Sequence, residues 1–391
     1  MIILNRLKIL QIVKGIDIGG NSGGAESFGV RLALSLHEHG LDVYVCAYVN
    51  YDTPVEKYWQ NQLENAGIKV FFASTDRKFH PYKAQKRIKN WLKDHPIDIV
   101  HSHYQVGTIT SIYLKSKHRY RFLVRTSHID SEFGSTIYGV FSRLIFREIV
   151  YPIFMDCEIG VSRAITQNLN QQIIRSLLHK PAFWIPNAIP DRVDLFFPEE
   201  QPALNLDAKS DEDWIVTTIG LLVTRKKIDI LIRSMVEVVK QIPHAKLVIV
   251  GEGPELNDLI GLSKELGISK SCWFLGQQQN IHAILKKSNI FTLPSSSEGF
   301  STVILEAMQN KVPVIASDIP GNRELIEDGR SGWLVPVGNV DALTSAIIRS
   351  YQHPDENFRM AEQAYTQLDE YSMSTVCSKY LKIFFSLMQT K

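Results

Sequence analysis

A chain of 391 residues with 45% apolar and 21% charged residues has the composition of an ordinary soluble globular protein and material for two cores. Its formal net charge of +2 gives the whole chain no electrostatic footprint for nucleic acid. The four cysteines, Cys46, Cys157, Cys272 and Cys377, are scattered without Cys-x-x-Cys spacing and read as reduced, buried thiols in a cytoplasmic protein.

The apolar start carries Arg6 and Lys8 and runs into a glycine-rich loop instead of a cleavage site, so a first strand over 8–13 is expected, not a secretory signal. The loop 19–24 leads to a helix over 27–39 that stops at Gly40, and then to a second strand over 43–47. Strand, glycine loop, helix and strand in that order begin a doubly wound α/β domain, and the loop is neither a Walker A nor a full dinucleotide fingerprint. A strand over 68–72 follows. Residues 78–93 then hold six cations and no acid, with Ile88, Trp91 and Leu92 on the opposite side. They read either as a solvated helix face or as a contact for an anionic membrane surface.

Strands ending at His103 and His128 come next. His101 and His103, two apart, share a face of an extended segment. No third metal ligand stands near them, so they read as structural histidines. The stretch 137–155 is interrupted by Arg143, Arg147 and Glu148, which fits a surface or packed helix and not a membrane span. The acidic segment 191–210 reads as a linker, and Asp211-Glu-Asp213 beside it as a chance match to a metal motif. The second half opens with a strand over 214–219. The strand over 246–250 enters Gly251-Glu-Gly253-Pro-Glu255, where Leu256 spoils a dinucleotide reading. Buried strands are expected near 273–276, 288–294, 313–316 and 332–335, and a periodic helix over 371–388.

Chemistry concentrates after the strand 288–294. Glu298 and Glu306 stand eight positions apart, with a small-residue turn between the strand and a helix. Glu298 is expected in the turn and Glu306 about two turns into the helix. Gly299, Phe300, Ser301 and Thr302 would then offer free helix N-terminal amides to an anion or a sugar hydroxyl. Surface carboxylates at such places commonly only compensate the helix dipole. The string Glu-Gly-Phe-Ser-x-x-x-Leu-Glu, however, resembles the Glu-x7-Glu motif of retaining glycosyltransferases of family 4, which have the GT-B fold.

That resemblance implies two Rossmann-like, doubly wound parallel-sheet domains facing a cleft. They would be an acceptor domain over 1–190 and a nucleotide-sugar domain over 211–370, with a helix over 371–391 crossing back to the first. It implies that Glu298 contacts the donor sugar and Glu306 the ribose, that His128 lies near the reacting sugar, and that Gly23 and Gly24 let backbone approach the diphosphate or the acceptor. Where the family reads Gly-Arg-Leu-x-x-x-Lys-Gly, this chain has Gly220-Leu221-Leu222-Val-Thr-Arg225-Lys226-Lys227. Lys226 matches the phosphate-binding lysine, Leu221 replaces the arginine, and Arg225 or Lys227 is a partial substitute.

The expected activity is retaining transfer of a sugar from a nucleotide-diphospho-sugar to an acceptor hydroxyl in polysaccharide or glycolipid synthesis. No cofactor or metal is expected, and the expected location is the cytoplasm or the inner membrane face. The alternative, motivated by Leu221, is a catalytically inactive nucleotide-sugar binder.

Overall fold

The computed structural model describes residues 6–18, 23–74, 81–117, 119–128, 144–191 and 212–389. Lys78, the segment 137–143, Asp211 and nearly all of the expected linker lie outside them. The chain divides into two compact units. One runs to Ala188 and takes in the end of the chain from Ser372; the other is Ile189–Tyr371.

The first unit is built on strands β1 (Lys8–Val13), β2 (Asp42–Ala47), β3 (Lys69–Phe72), β4 (Ile97–Ser102), β5 (Tyr120–Ser127), β6 (Cys157–Gly160) and β7 (Phe183–Trp184), all paired in parallel in the order 3-2-1-4-5-6-7. Period-two alternation serves two cores. Ile9 and Val13 face Phe28, Leu32 and Leu36 of the helix Gly24–Glu38, while Leu10 and Ile12 face Cys46, Tyr48 and Ala84. Each fully buried Leu or Ile contributes about 1.5–3 kcal/mol, which explains why the strand is an almost unbroken apolar run.

Helix Pro81–Asp94 packs its apolar stripe, Ala84, Ile88 and Leu92, into that second core. The apolar back that made a membrane contact attractive is therefore occupied inside the unit. The face left outside carries Lys83, Lys86, Arg87 and Lys93. Helix Met373–Gln389 lays Val376, Tyr380 and Phe384 against Phe28 and the first core.

Arg125 on β5, Glu158 on β6 and Arg175 form a buried triad in which Glu158 is 0% exposed and paired with both arginines. Arg125 also lies over the Tyr151 ring at 4.3 Å, and Arg175 donates to Gln172 Oε1 and to the Lys180 carbonyl. Of the stretch 137–155, the described part is helical and half-exposed, with Ile149 and Ile153 outward. No helix among the described residues is long and apolar enough to cross a membrane.

The second unit repeats the plan with β8 (Trp214–Ile219), β9 (Ala245–Val250), β10 (Cys272–Phe274), β11 (Ile290–Leu293), β12 (Val314–Ser317) and β13 (Trp333–Val335), again parallel, in the order 10-9-8-11-12-13. Strand order reverses between β8 and β11. A switch point of this kind is the usual ligand site of a doubly wound sheet.

Candidate functional site

The two segments singled out in the second half of the sequence leave these two switch-point strands. β8 runs out at Gly220 into the turn that carries Arg225 and Lys226, and β11 runs out into Ser295–Glu298. The turns are stitched together by main chain. Ser296 N–H donates to the Arg225 carbonyl at 2.8 Å, and Arg225 Nη1 to the Ser297 carbonyl at 3.1 Å. A third turn locks in beside them, with Leu222 N–H donating to Glu252 O at 2.8 Å. Glycines make this approach possible. A Cβ on Gly251 would stand 2.0 Å from the Gly220 carbonyl oxygen, and Gly251 adopts φ +131°. These glycines serve turn-to-turn packing, in keeping with the absence of a full dinucleotide fingerprint.

Lys226 Nζ donates to Glu298 Oε1 at 2.6 Å, and Arg225 Nη1 to Oε2 at 3.2 Å. The Lys226 and Glu298 side chains are 10% and 9% exposed, whereas Arg225 is 47% exposed. Burial holds the Lys226 ammonium below the ordinary lysine value, against the pull of Glu298. Burial pushes the Glu298 carboxyl up, but Lys226 and Arg225 together outweigh it and leave the carboxyl below the ordinary glutamate value. Two cationic side chains thus meet one carboxylate in the cluster. A carboxylate has about four lone-pair sites, so Glu298 can keep both cations and still accept from sugar hydroxyls.

Past Glu298 the chain bends at Gly299 and is extended at the cap residue Ser301, and the helix Thr302–Gln309 begins only there. Glu306 is therefore one turn into the helix, not two, and is half-buried. The amides of Gly299, Phe300, Ser301 and Thr302 have no partner among the described residues. Gly321 fits against this turn from behind, where a Cβ would stand 2.5 Å from the Glu298 carbonyl oxygen. Leu221 is 56% exposed while Leu222 is buried, so the position of the family arginine faces outward and is not a packing position. Lys227 sits at φ 53°, a left-handed conformation that explains why glycine is the usual residue there.

The first unit gathers the histidines. His101 Nε2 lies 2.8 Å from Thr126 Oγ1, which lies 3.0 Å from the Tyr380 hydroxyl. His103 bridges Gln11 Oε1 at 2.9 Å and His128 Nε2 at 3.1 Å. Burial pushes His101 and His128 down to about 3, and His103 well below its ordinary value, so all three are neutral. Among the described residues no group of His, Cys, Asp or Glu is placed to hold a metal. Gly23 caps the helix Gly24–Glu38, and its N–H donates to Glu26 Oε2 at 3.0 Å, so an anion approaching that amide would have to displace a carboxylate. Gly24 lies in the first helical turn, three residues earlier than the expected helix start.

Comparison with known proteins adds the following. Residues 22–191 match the family described as Glycosyltransferase Family 4, and residues 205–367 match Glycosyl transferases group 1. The chain is 28% identical over 205 residues to N-acetyl-alpha-D-glucosaminyl L-malate synthase of Bacillus anthracis, covering 52% of this chain and 53% of that one. It thus spans about half the length of that relative. It is 23% identical over 367 residues to phosphatidyl-myo-inositol mannosyltransferase of Mycolicibacterium smegmatis, covering 93% and 90%. Among solved structures, that of Anabaena HepE in complex with UDP and glucose superposes with a TM-score of 0.79 at 20% identity, covering 97% of this chain and all of that one. At that identity the likeness shows the fold, two parallel-sheet Rossmann-like domains of the GT-B kind.

Proposed function

The chain belongs to the family 4 glycosyltransferases, and from that membership we propose that it moves a hexosyl group from a nucleotide-diphospho-sugar to an acceptor hydroxyl with retention of configuration, in cell-surface glycan synthesis. The observation that carries the reading is the cluster of Arg225, Lys226 and Glu298 beside the unpartnered amides of 299–302 at the switch point of the second sheet. Arg225, Lys226 and the amides offset charge on a departing diphosphate, a preorganised electrostatic contribution that needs no metal. The bond from the anomeric carbon to the diphosphate oxygen breaks while the acceptor oxygen bonds to the same face. The acceptor proton passes to the departing phosphate oxygen. Glu298 holds sugar hydroxyls and Glu306 the ribose diol. A thermal-shift panel of UDP-, GDP- and ADP-sugars tests the reading, because a ligand that binds the native state raises apparent stability. No shift with any of them would sink it.

Glu306→Ala should weaken nucleotide binding by about 1.5–3 kcal/mol, the worth of a charge-assisted hydrogen bond. Unchanged affinity for the free nucleotide would remove Glu306 from the ribose. Because Leu221 is exposed, Leu221→Arg should leave the melting temperature within about 1 °C, since surface changes seldom exceed 0.5 kcal/mol. Nucleotide-sugar affinity should rise modestly in the same variant. A stable variant with unchanged affinity would show that position 221 does not face the phosphates, and a wild type without turnover on any donor would favour the inactive binder.

Peripheral attachment to the cytoplasmic face of an anionic membrane, through the cations of the helix Pro81–Asp94, is part of the same proposal. With its apolar stripe packed inside, the attachment is electrostatic. Co-sedimentation with phosphatidylglycerol vesicles should therefore fall steeply as salt rises. Salt-insensitive binding, or none, would count against it.

A further inference from the structure

A pocket of about 520 Å³ lies at the carboxyl ends of β2 and β3, the edge at which a doubly wound sheet takes ligands. Its lining offers donors and no carboxylate. Arg87, from the helix Pro81–Asp94, is exposed at its rim and has no partner among the described residues. Asn50 accepts the Asp52 N–H on Oδ1 at 2.9 Å, which fixes its amide so that Nδ2 is the end left to donate. Asn90 adds a second amide and Ser74 a hydroxyl. Trp91 stacks on Phe71 at 4.4 Å and on His95 at 4.1 Å, so its π-face is engaged. What it offers the pocket is its ring edge, the positive side of the quadrupole. Lys83 and Lys86, exposed one turn away on the same helix, make the approach cationic.

We propose that this pocket binds a phosphate ester, with Arg87 as the fork and Asn50 and Asn90 as the flanking donors. It would thereby select a phosphate-bearing acceptor. A guanidinium meets two phosphate oxygens at once, and the two amides are the donors for the remaining oxygens. The proposal rests on the reading of the first unit as the acceptor half, but not on the donor site.

Titration calorimetry with glycerol 3-phosphate and with glycerol tests it on the full chain. The phosphate ester should bind and glycerol should not. Arg87→Gln should weaken binding at least tenfold. Asn50→Asp, which keeps the acceptor for the Asp52 N–H but places a carboxylate in the pocket, should do the same. Lys117→Gln, an equal charge change at an exposed position of the first unit away from the pocket and its helix, should cost less than twofold. Equal losses in Arg87→Gln and Lys117→Gln in both ligand series, or equal binding of glycerol, would overturn the site. A parallel series uses phosphatidylcholine vesicles with and without phosphatidylglycerol. An Arg87-specific loss confined to the vesicles assigns the phosphate to a lipid headgroup, and one confined to glycerol 3-phosphate assigns it to a soluble ester. Loss in neither series overturns the proposal. Nucleotide-sugar binding, followed in every variant, keeps the two readings apart: if it persists where phosphate-ester binding is absent, only the pocket fails, and the reverse result fails only the donor site.

Discussion

Replacing Lys226 with methionine should lower turnover by roughly 100- to 1,000-fold, the usual cost of removing one preorganised donor from developing negative charge. The same change should alter how stability depends on pH. In the wild type Glu298 titrates below the ordinary glutamate value. It therefore contributes stability that is present above that value and lost as pH falls through the lower one. Without Lys226 only Arg225, half-exposed, is left as a cation against burial, so the folded carboxyl moves up and the stability gained on its ionisation shrinks. Melting temperature should thus climb less from pH 4 to pH 7 in Lys226→Met than in the wild type. Lys226→Met combined with Glu298→Gln should recover stability and not turnover. Recovery of both would show that the lysine only neutralises the carboxylate and never meets the diphosphate.

The largest effect on stability is expected at Glu158. Glu158→Gln preserves volume but leaves Arg125 and Arg175 charged, 4% and 2% exposed, with no anion between them. Breaking such a group by removing one partner costs about 3–5 kcal/mol. Burial holds the Arg175 guanidinium down at about 10. Chemical denaturation followed by a probe in the first unit should show the loss. A change below about 1 kcal/mol would mean that solvent reaches the triad on opening motions the structure does not display. Adding Arg175→Met to Glu158→Gln should return part of the loss, because Arg125 can still bond the new amide oxygen without a like charge beside it.

Much of this was legible in the sequence because strands buried on both faces read as apolar runs, and the switch-point turns follow such runs. Glu298 and Glu306 were singled out by their spacing, and Lys226 by its place in the family motif. The joining of Lys226 to Glu298 was not legible. Lys226 and Glu298 are 72 positions apart, and only the adjacency of β8 and β11 brings them together. The helix begins only at Thr302: Gly299 to Ser301 look helix-compatible, but the chain bends at Gly299, where Gly321 packs against the Glu298 carbonyl, and is still extended at Ser301. The helix Pro81–Asp94 was correctly read as two-sided, yet periodicity cannot say whether an apolar stripe meets a membrane or a sheet. Tertiary packing decided for the sheet.

The first unit borrows its last structural piece from the end of the chain. Val376, Tyr380 and Phe384 complete a core whose members outside that final helix are all made by Ala188. At ribosomal speeds of about 5–20 residues per second, the interval between the two is roughly 10–40 s. Throughout it, the apolar side of the helix Gly24–Glu38 around Phe28 waits uncovered, while the whole second unit emerges and is free to fold. The first unit thus completes its core only after the second has emerged.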